Sequence, residues 1–516
     1  MQHLATMIPT FVYISIALVT LWAVAFRKRQ RYRYPPGPKG LPIIGNILDI
    51  PIKFGWFTYR DWARQYDSDI IHLEGLGLHI VVLNSAKAAK DLFDKRHNVY
   101  SDKELSSMML EVTGPTRNWI MMPYGDYWRE HRRLFHQHFR PLALPQHHPK
   151  QSKAVHRLLQ LLLDSQEDFV PHVRYMAGSL ILEVIYAFDV QPDDPRLALV
   201  EKAMNAGDEI VSEGVFLVDI FPILRRVPVW FPGARFKRKA AEWKALVDTM
   251  YEVPYSLFKT AMKEGSAQPC FALSLLSNAD ASDMSRLDEI FLSLTGTAYS
   301  AGEDTTTITI TTFILAMILN PEIQAFVQEE LDKVIGNDRL PVINDQPSLP
   351  RVTAVMHEVL RQYPVLPLAT PHRAMADDEY NGYHIPAGSM VIGNTWAILH
   401  DEETYPDPLT FNPKRFLSED GTTLRDDVPL PTEAFGYGRR ICAGRHFAMD
   451  MLFLVISNLL AVFNIEKAID ENGKPIEIKV EFTPHVFSQP KPFKARFKPR
   501  HAGAENLIRS AAQVDA

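Results

Sequence analysis

Cysteine is scarce: Cys270 and Cys442 are the only two in 516 residues. A pair so far apart builds no disulfide framework, which excludes the stapled secreted class and suits a reducing compartment. No Asn-x-Ser/Thr sequon occurs, in keeping with a body that faces the cytosol. A basic surplus is also missing. The net charge is −6, which argues against a nucleic-acid partner. There is no internal repeat and no low-complexity tract. The remaining composition, 46% hydrophobic and 22% charged, is that of a globular chain. No linker divides it, so one large core is expected.

The most local absence is at the start. Residues 1–26 hold no Lys, Arg, Asp or Glu. From Met7 to Phe26 the chain is almost wholly apolar, close to the ~20 residues a spanning helix needs. Arg27, Lys28, Arg29, Arg31 and Arg33 follow with no acid among them. Positive flanks stay on the cytoplasmic side, so the segment predicts an uncleaved anchor with the rest of the chain in the cytosol. A cleaved signal peptide normally carries its positive charge before the apolar run, and here the charge comes after it. The expected layout is an anchor over 1–26, a basic and proline-rich hinge over 27–42, a catalytic body over 43–500 and a frayed polar tail over 501–516. In the hinge, Tyr34-Pro35-Pro36-Gly37-Pro38 reads as a stiff extended spacer.

The body reads as mainly α with small β-sheets (α+β). Ile70–Leu73 and His79–Leu83 form a strand pair with glycines between them. Helical stretches are expected around 150–190, 235–265, 285–319, 321–336 and 350–362. Pro321 fits a first-turn position. Proline and short apolar runs over 380–500 predict loops and strands there.

Cys442 sits in Phe435-Gly436-Tyr437-Gly438-Arg439-Arg440-Ile441-Cys442-Ala443-Gly444. A thiolate is a soft, electron-rich ligand that iron accepts readily. Glycines allow the backbone to turn sharply and to approach a flat cofactor. Arg440 can reach an anionic group on its edge, and Phe435 can shield the sulfur. The stretch resembles the haem-binding loop of the cytochromes P450, Phe-x-x-Gly-x-Arg-x-Cys-x-Gly. Phe435, Gly438, Arg440, Cys442 and Gly444 fill every fixed place. Taken alone it is also compatible with a glycine-rich turn around a structural cysteine, but three further motifs follow in the family's order.

The second motif is Ala301-Gly302-Glu303-Asp304-Thr305-Thr306. The β-branched run from Thr305 to Thr312 favours a strand locally. The apolar stretch is too long for one strand, so we read a single buried helix distorted near Gly302. It resembles the family's oxygen-binding helix, which implies Asp304 as acid and Thr305 as hydroxyl in relaying protons to dioxygen. Glu303 occupies the free position and competes for that role. The third motif is Glu358-x-x-Arg361, one helix face apart. With Arg415 in Phe411-Asn412-Pro413-Lys414-Arg415-Phe416 the resemblance implies a buried structural network. The fourth is Trp128-x-x-x-Arg132, which in the family reaches a haem propionate. His372 is a third propionate candidate with Arg373 as fallback, and Arg440 completes the set.

The resemblance spans the chain and is nearest to membrane-bound fungal members, of the kind that resemble O-methylsterigmatocystin oxidoreductase. The Pro35–Asn46 hinge and Trp230-Phe231-Pro232-Gly233-Ala234 support it. It implies a P450-like fold with an N-terminal transmembrane helix, in the endoplasmic reticulum membrane. The implied cofactor is haem b, with Cys442 as iron ligand. The implied activity is insertion of one oxygen atom from O2 into a hydrophobic terpenoid, steroid or polyaromatic in secondary or xenobiotic metabolism. The chain carries no flavin or nicotinamide fingerprint, so electrons come from an NADPH-dependent reductase. Arg129, Arg133, Arg439 and Arg445 are candidates for docking it. Met108, Met109, Met121, Met122, Ala298, Val365, Leu366, Leu368, Val486 and Phe487 are the expected pocket residues. Phe221–Leu224 and Val229–Pro232 are candidates for contact with lipid. Two other readings stand beside this one: a haem-thiolate isomerase or dehydratase needing no external electrons, and a non-catalytic lipid-binding membrane protein.

Overall fold

The computed structural model describes residues 32–514 apart from 104–106, 115, 166–168, 213–217, 219–221 and 278–283. The anchor expected over 1–26, the basic residues up to Arg31, and Phe221 lie outside the described residues. Where the hinge enters, it is extended. The His72 N–H donates to the Pro36 carbonyl at 2.9 Å and Asn46 Nδ2 donates to the Pro38 carbonyl at 2.9 Å, so the hinge lies along the first strand.

The strand pair is as expected. β1 (Ile70–Gly75) and β2 (Leu78–Leu83) pair antiparallel around a two-residue turn. Leu76 and Gly77 both take positive φ, 50° and 84°, the geometry that matches strand twist in a tight hairpin. β3 (Asp102–Lys103), β4 (His372–Arg373) and β7 (Met390–Gly393) complete a sheet in the order β1-β2-β7-β4-β3. β5 (Asp378–Tyr380) pairs with β6 (Tyr383–Ile385), and β8 (Phe463–Lys467) with β9 (Ala495–Pro499).

Helices make most of the body. The longer ones are α1 (Gly55–Gln65), α2 (Asp126–Phe139), α3 (His148–Asp164), α4 (Phe169–Tyr186), α5 (Pro195–Ser212), α6 (Arg235–Lys263), α7 (Met284–Leu319), α8 (Pro321–Val334), α9 (Pro350–Gln362), α10 (Arg445–Val462) and α11 (Ala504–Val514). α4, α7, α9 and α10 share one large apolar core. The stretch read as helical over 150–190 is two helices.

Three expectations change. First, α7 is continuous, with no break at Gly302. Its threonines bond back to their own helix: Thr305, Thr307, Thr309 and Thr312 each donate to the carbonyl four residues earlier at 2.7–2.8 Å. That satisfies the hydroxyls and lets a β-branched run stay helical. Gly302 instead permits close packing, since a Cβ there would lie 2.8 Å from Ile181 Cδ1. Second, the region 380–500 holds α10, an 18-residue helix. From Met451 to Val462 it is buried on every side, and so shows no 3.6 period. Among the described residues it is the one unbent helix long and apolar enough to cross a membrane, but 72% of it is buried inside the protein. Third, the tail over 501–516 is not frayed through its length. α11 docks on α3 with Ala504 and Ile508 fully buried, and Arg509 reaches Asp164 at 3.2 Å.

Candidate active site

The cysteine loop packs under α7 and leaves a slot between them. One wall is Ala298, Ala301, Gly302, Thr305 and Thr306 of α7; the other is Phe435, Gly436, Cys442, Ala443 and Gly444. Val365, Leu366, Ala369 and Thr370 close one side. The empty space, counting its open mouth, is about 1700 Å3.

The loop is held by its own backbone. The Cys442 N–H donates to the Phe435 carbonyl at 2.8 Å. Gly436 and Gly438 take positive φ, 88° and 52°. At Gly438 a Cβ would come within 2.2 Å of the Phe93 carbonyl oxygen, so this place admits only glycine. Tyr437 points down into the core, its ring 5.1 Å from Phe93 and its hydroxyl 2.9 Å from Thr395 Oγ1. Cys442 is accessible from within the slot. Burial raises its thiol pKa, while the Gly444 N–H, Arg132 and Arg445 pull it back down. α10 begins three residues on, and its N-terminal partial charge also favours an anionic sulfur.

At the rim of the slot the chain gathers cations. Arg440 lies over Trp128, its guanidinium carbon 4.2 Å from the ring centroid. It donates to the carbonyls of Ser101 and Met122, each at 2.7 Å. Arg132 donates to the Ile441 carbonyl at 2.8 Å. His372 is buried, and its Nδ1–H donates to the Tyr100 carbonyl at 2.6 Å, which leaves Nε2 for the slot. Arg373, the fallback, is exposed and does not line the slot. Trp128, Arg132, His372 and Arg440 are thus brought to one place.

A residue the sequence reading passed over joins them. Lys103 is buried and lines the same rim, with Nζ donating to the Thr370 carbonyl at 2.8 Å and hydroxyl at 2.7 Å. Burial first, then Arg440, holds its pKa well below the ordinary lysine value. Burial likewise drives His372 down, with Lys103 and Arg440 adding to it. Arg440 is brought down to about 9, again mainly by burial. Among the described residues, no carboxylate bonds Lys103, Arg132 or Arg440. Buried cations without a paired anion are expensive unless an anion arrives. Trp119 adds an indole N–H on the slot wall that has no partner among the described residues. Only the two-residue strand that pairs Lys103 with His372 marks it, and a sequence gives no sign of that pairing.

The other predicted residues fall as follows. Glu358 and Arg361 are fully buried and bidentate, at 2.7 and 2.9 Å; Arg415 reaches Glu358 at 3.2 Å, and the Asn412 N–H donates to it at 2.7 Å. Arg361 also ties down the Leu399 carbonyl at 2.9 Å. Thr305 lines the slot, but Asp304 does not; with Glu303 it faces Arg174 of α4. Ala298, Val365 and Leu366 line the slot, whereas Met108 and Met109 belong to a separate cluster with Trp243. Leu368 packs on the sheet and Val486 is exposed, so neither lines it.

An anionic, planar, iron-bearing cofactor fits this donor set of one soft thiol, a cationic rim and apolar walls. Comparison with known proteins agrees. The family profile for cytochrome P450 matches residues 35–497. The chain belongs to the cytochrome P450 family. The P450 is 42% identical over 96% of its length to a cytochrome P450 monooxygenase of Armillaria gallica, covering 98% of that protein. It is 41% identical to cytochrome P450 monooxygenase ple1 of Rhodocybe pseudopiperita, with 98% of each chain covered. It is 39% identical to tryptamine 4-monooxygenase of Psilocybe cyanescens, over 92% of this chain and 94% of that one. The family binds haem b through a thiolate and its members act as monooxygenases, so this P450 is a haem enzyme and an oxidoreductase.

Proposed function

We propose that this P450 is a membrane-anchored monooxygenase that inserts one oxygen atom from O2 into a hydrophobic small molecule of terpenoid, steroid or polyaromatic type. The observation that carries this reading is the composition of the slot: a thiol on one wall, alanines, Gly302 and threonines on the other. Haem, when bound, supplies the oxidation itself. In this reading Cys442 would bind its iron, Phe435 would shield the sulfur, and Gly438 would fix the turn that presents it. Trp128, Arg132, Arg440 and Lys103 would hold its carboxylates by hydrogen bonds, charge-assisted from the three cations, and His372 would join them through Nε2 once the arriving anion protonates it. Glu358, Arg361 and Arg415 lock the scaffold beneath. Thr305 presents a hydroxyl to the slot and Asp304 supplies its proton.

Among the described residues, Glu433 is the only carboxylate lining the slot, and it belongs to the cysteine-loop wall. The α7 side therefore offers no anion to an ammonium group, which favours neutral apolar substrates over the amine named for the Psilocybe relative. Electrons come from an NADPH-dependent flavoprotein reductase. Exposed Arg129, Arg133 and Arg439 beside the cysteine loop suit an acidic partner. Residues 1–26 anchor the protein in the endoplasmic reticulum membrane. Val229, Trp230 and Phe231, exposed by 53%, 79% and 49%, support contact with lipid. Secondary or xenobiotic metabolism is the setting that suits such a substrate.

The test is spectroscopic and then chemical. The reduced protein with carbon monoxide should show the long-wavelength Soret band of an axial thiolate, and Cys442→Ser should lose it. Terpenoid and aromatic compounds should shift the resting Soret band and yield hydroxylated products with NADPH and reductase. Turnover without NADPH would favour the isomerase or dehydratase reading, and absence of haem the lipid-binding one.

A further inference from the structure

Glu303 is the most deeply buried acid that the reading above leaves without a role. Its side chain is 3% exposed, and that of Asp304 is 9%. Both face one guanidinium nitrogen, Arg174 Nη1 on α4, at 2.8 Å from Glu303 Oε1 and 3.4 Å from Asp304 Oδ1. Glu303 Oε2 has no hydrogen-bond partner among the described residues. The helices approach closely here: a Cβ on Gly178 of α4 would touch Glu303 Cγ at 3.4 Å.

Charge counting limits the states of this cluster. Two ionised carboxylates against one guanidinium leave one uncompensated negative charge in a dry interior, and a buried group in that position takes up a proton instead. The other facing groups do not relieve it. Glu201 on α5 is acidic and works against ionisation of both acids. Tyr299, one turn earlier on α7, gives its hydroxyl to the Arg196 carbonyl at 2.7 Å, and Arg196 is paired with Asp194. Burial, the largest influence, raises Glu303 to about 7 against the pull of Arg174, with Asp304 pushing it further. Burial raises Asp304 too, and Arg174 opposes.

We propose that Glu303 and Asp304 share one labile proton, and that Glu303 is the store that refills Asp304 during turnover. The inference rests on the reading of Asp304 and Thr305 as the proton path. When Asp304 has released its proton toward the slot, the O–H bond of Glu303 breaks and one forms on Asp304. Arg174 then stays with the carboxylate left ionised. Glu303 regains a proton from solvent on the side where the Arg174 side chain is 25% exposed. Glu303 is thus a positioning residue that acts through Asp304, and it makes no contact with substrate.

Infrared spectroscopy of the full-length haem-loaded protein tests this. The wild type should show the carbonyl band of a protonated carboxyl, sensitive to deuteration, that fades as pH rises through about 7. Glu303→Gln and Asp304→Asn should each lose it, because a single carboxylate with its own guanidinium stays ionised. Product formed per NADPH should fall several-fold above that pH in the wild type and be flat with pH in Glu303→Gln. No titrating band in the wild type, or a band kept in both amide variants, overturns the proposal. Oxidation of substrate without the band removes the shared proton and leaves the monooxygenase reading. The band without any NADPH-driven oxidation does the reverse.

Discussion

Lys103 and His372 stand opposite each other in the β3–β4 pair, two groups able to carry positive charge in one buried register position. Alone, the pair is unfavourable, since burial works against a charge on either group and Lys103 lowers His372 further. Bringing an anionic cofactor edge to them reverses the sign. Lys103→Met should therefore have opposite effects on the two forms. The haem-free protein should be as stable as the wild type or more so. Haem should be lost to an apoglobin acceptor roughly 10–100-fold faster, the worth of one hydrogen bond to a charged group. Unchanged haem transfer would remove Lys103 from the cradle.

In the Glu358–Arg361–Arg415 network the first two are fully enclosed and the Arg415 side chain is nearly so, and each member has a carbonyl or N–H as well as its ionic partner. Glu358→Ala leaves two buried guanidiniums without their anion. A loss of about 3–5 kcal/mol is expected. Urea unfolding of the haem-loaded protein should show it, together with weak haem incorporation on expression.

Glycines of the cysteine loop are not equivalent. Gly438→Ala places a methyl 2.2 Å from the Phe93 carbonyl at a φ of 52°. The αL conformation alone costs roughly 1–2 kcal/mol, and the clash adds to that. Holoprotein yield should collapse. At Gly444, its two chain neighbours aside, no atom of the described residues lies within 4 Å of a Cβ, so the apo fold of Gly444→Ala should be unchanged by circular dichroism.

Two buried imidazoles predict acid sensitivity. His357 is held down to about 4 by burial, and His400 to about 3 by burial and then Arg361. Folded values below the unfolded 6.5 mean that the unfolded chain binds more protons. Their contribution is complete above pH 6.5 and is lost as pH falls toward 4 and 3. At about pH 5 the two together should weaken the fold by up to about 4 kcal/mol. His357→Leu should flatten the fall in urea midpoint between about pH 7 and 5; an identical slope would refute the assignment.

Much of the site was legible because its chemistry is local. Phe435 to Gly444 encodes a turn, a thiol and a cation within ten residues, and Glu358 and Arg361 lie one helical turn apart. The strand pair at 70–83 was legible from alternation and from turn residues. α10 was not, because burial of Met451 to Val462 on every side erases the period that marks a helix. α11 was not either: its two buried contacts, Ala504 and Ile508, are few, and its surface is polar.

By itself the sequence determined which atoms are available: one candidate thiolate, a run of threonines in an apolar helix, an acid pair, and the spacing that puts ion pairs on one face. Tertiary structure alone decided which of them meet. Lys103 and His372 are 269 positions apart in number and adjacent in space through backbone pairing. Arg174 reaches Glu303 and Asp304 because glycines on α4 and α7 let the helices close. The reason is physical. Side-chain chemistry is carried by each residue, whereas desolvation and charge balance belong to whatever packs around it, and packing is set by contacts between distant parts of the chain.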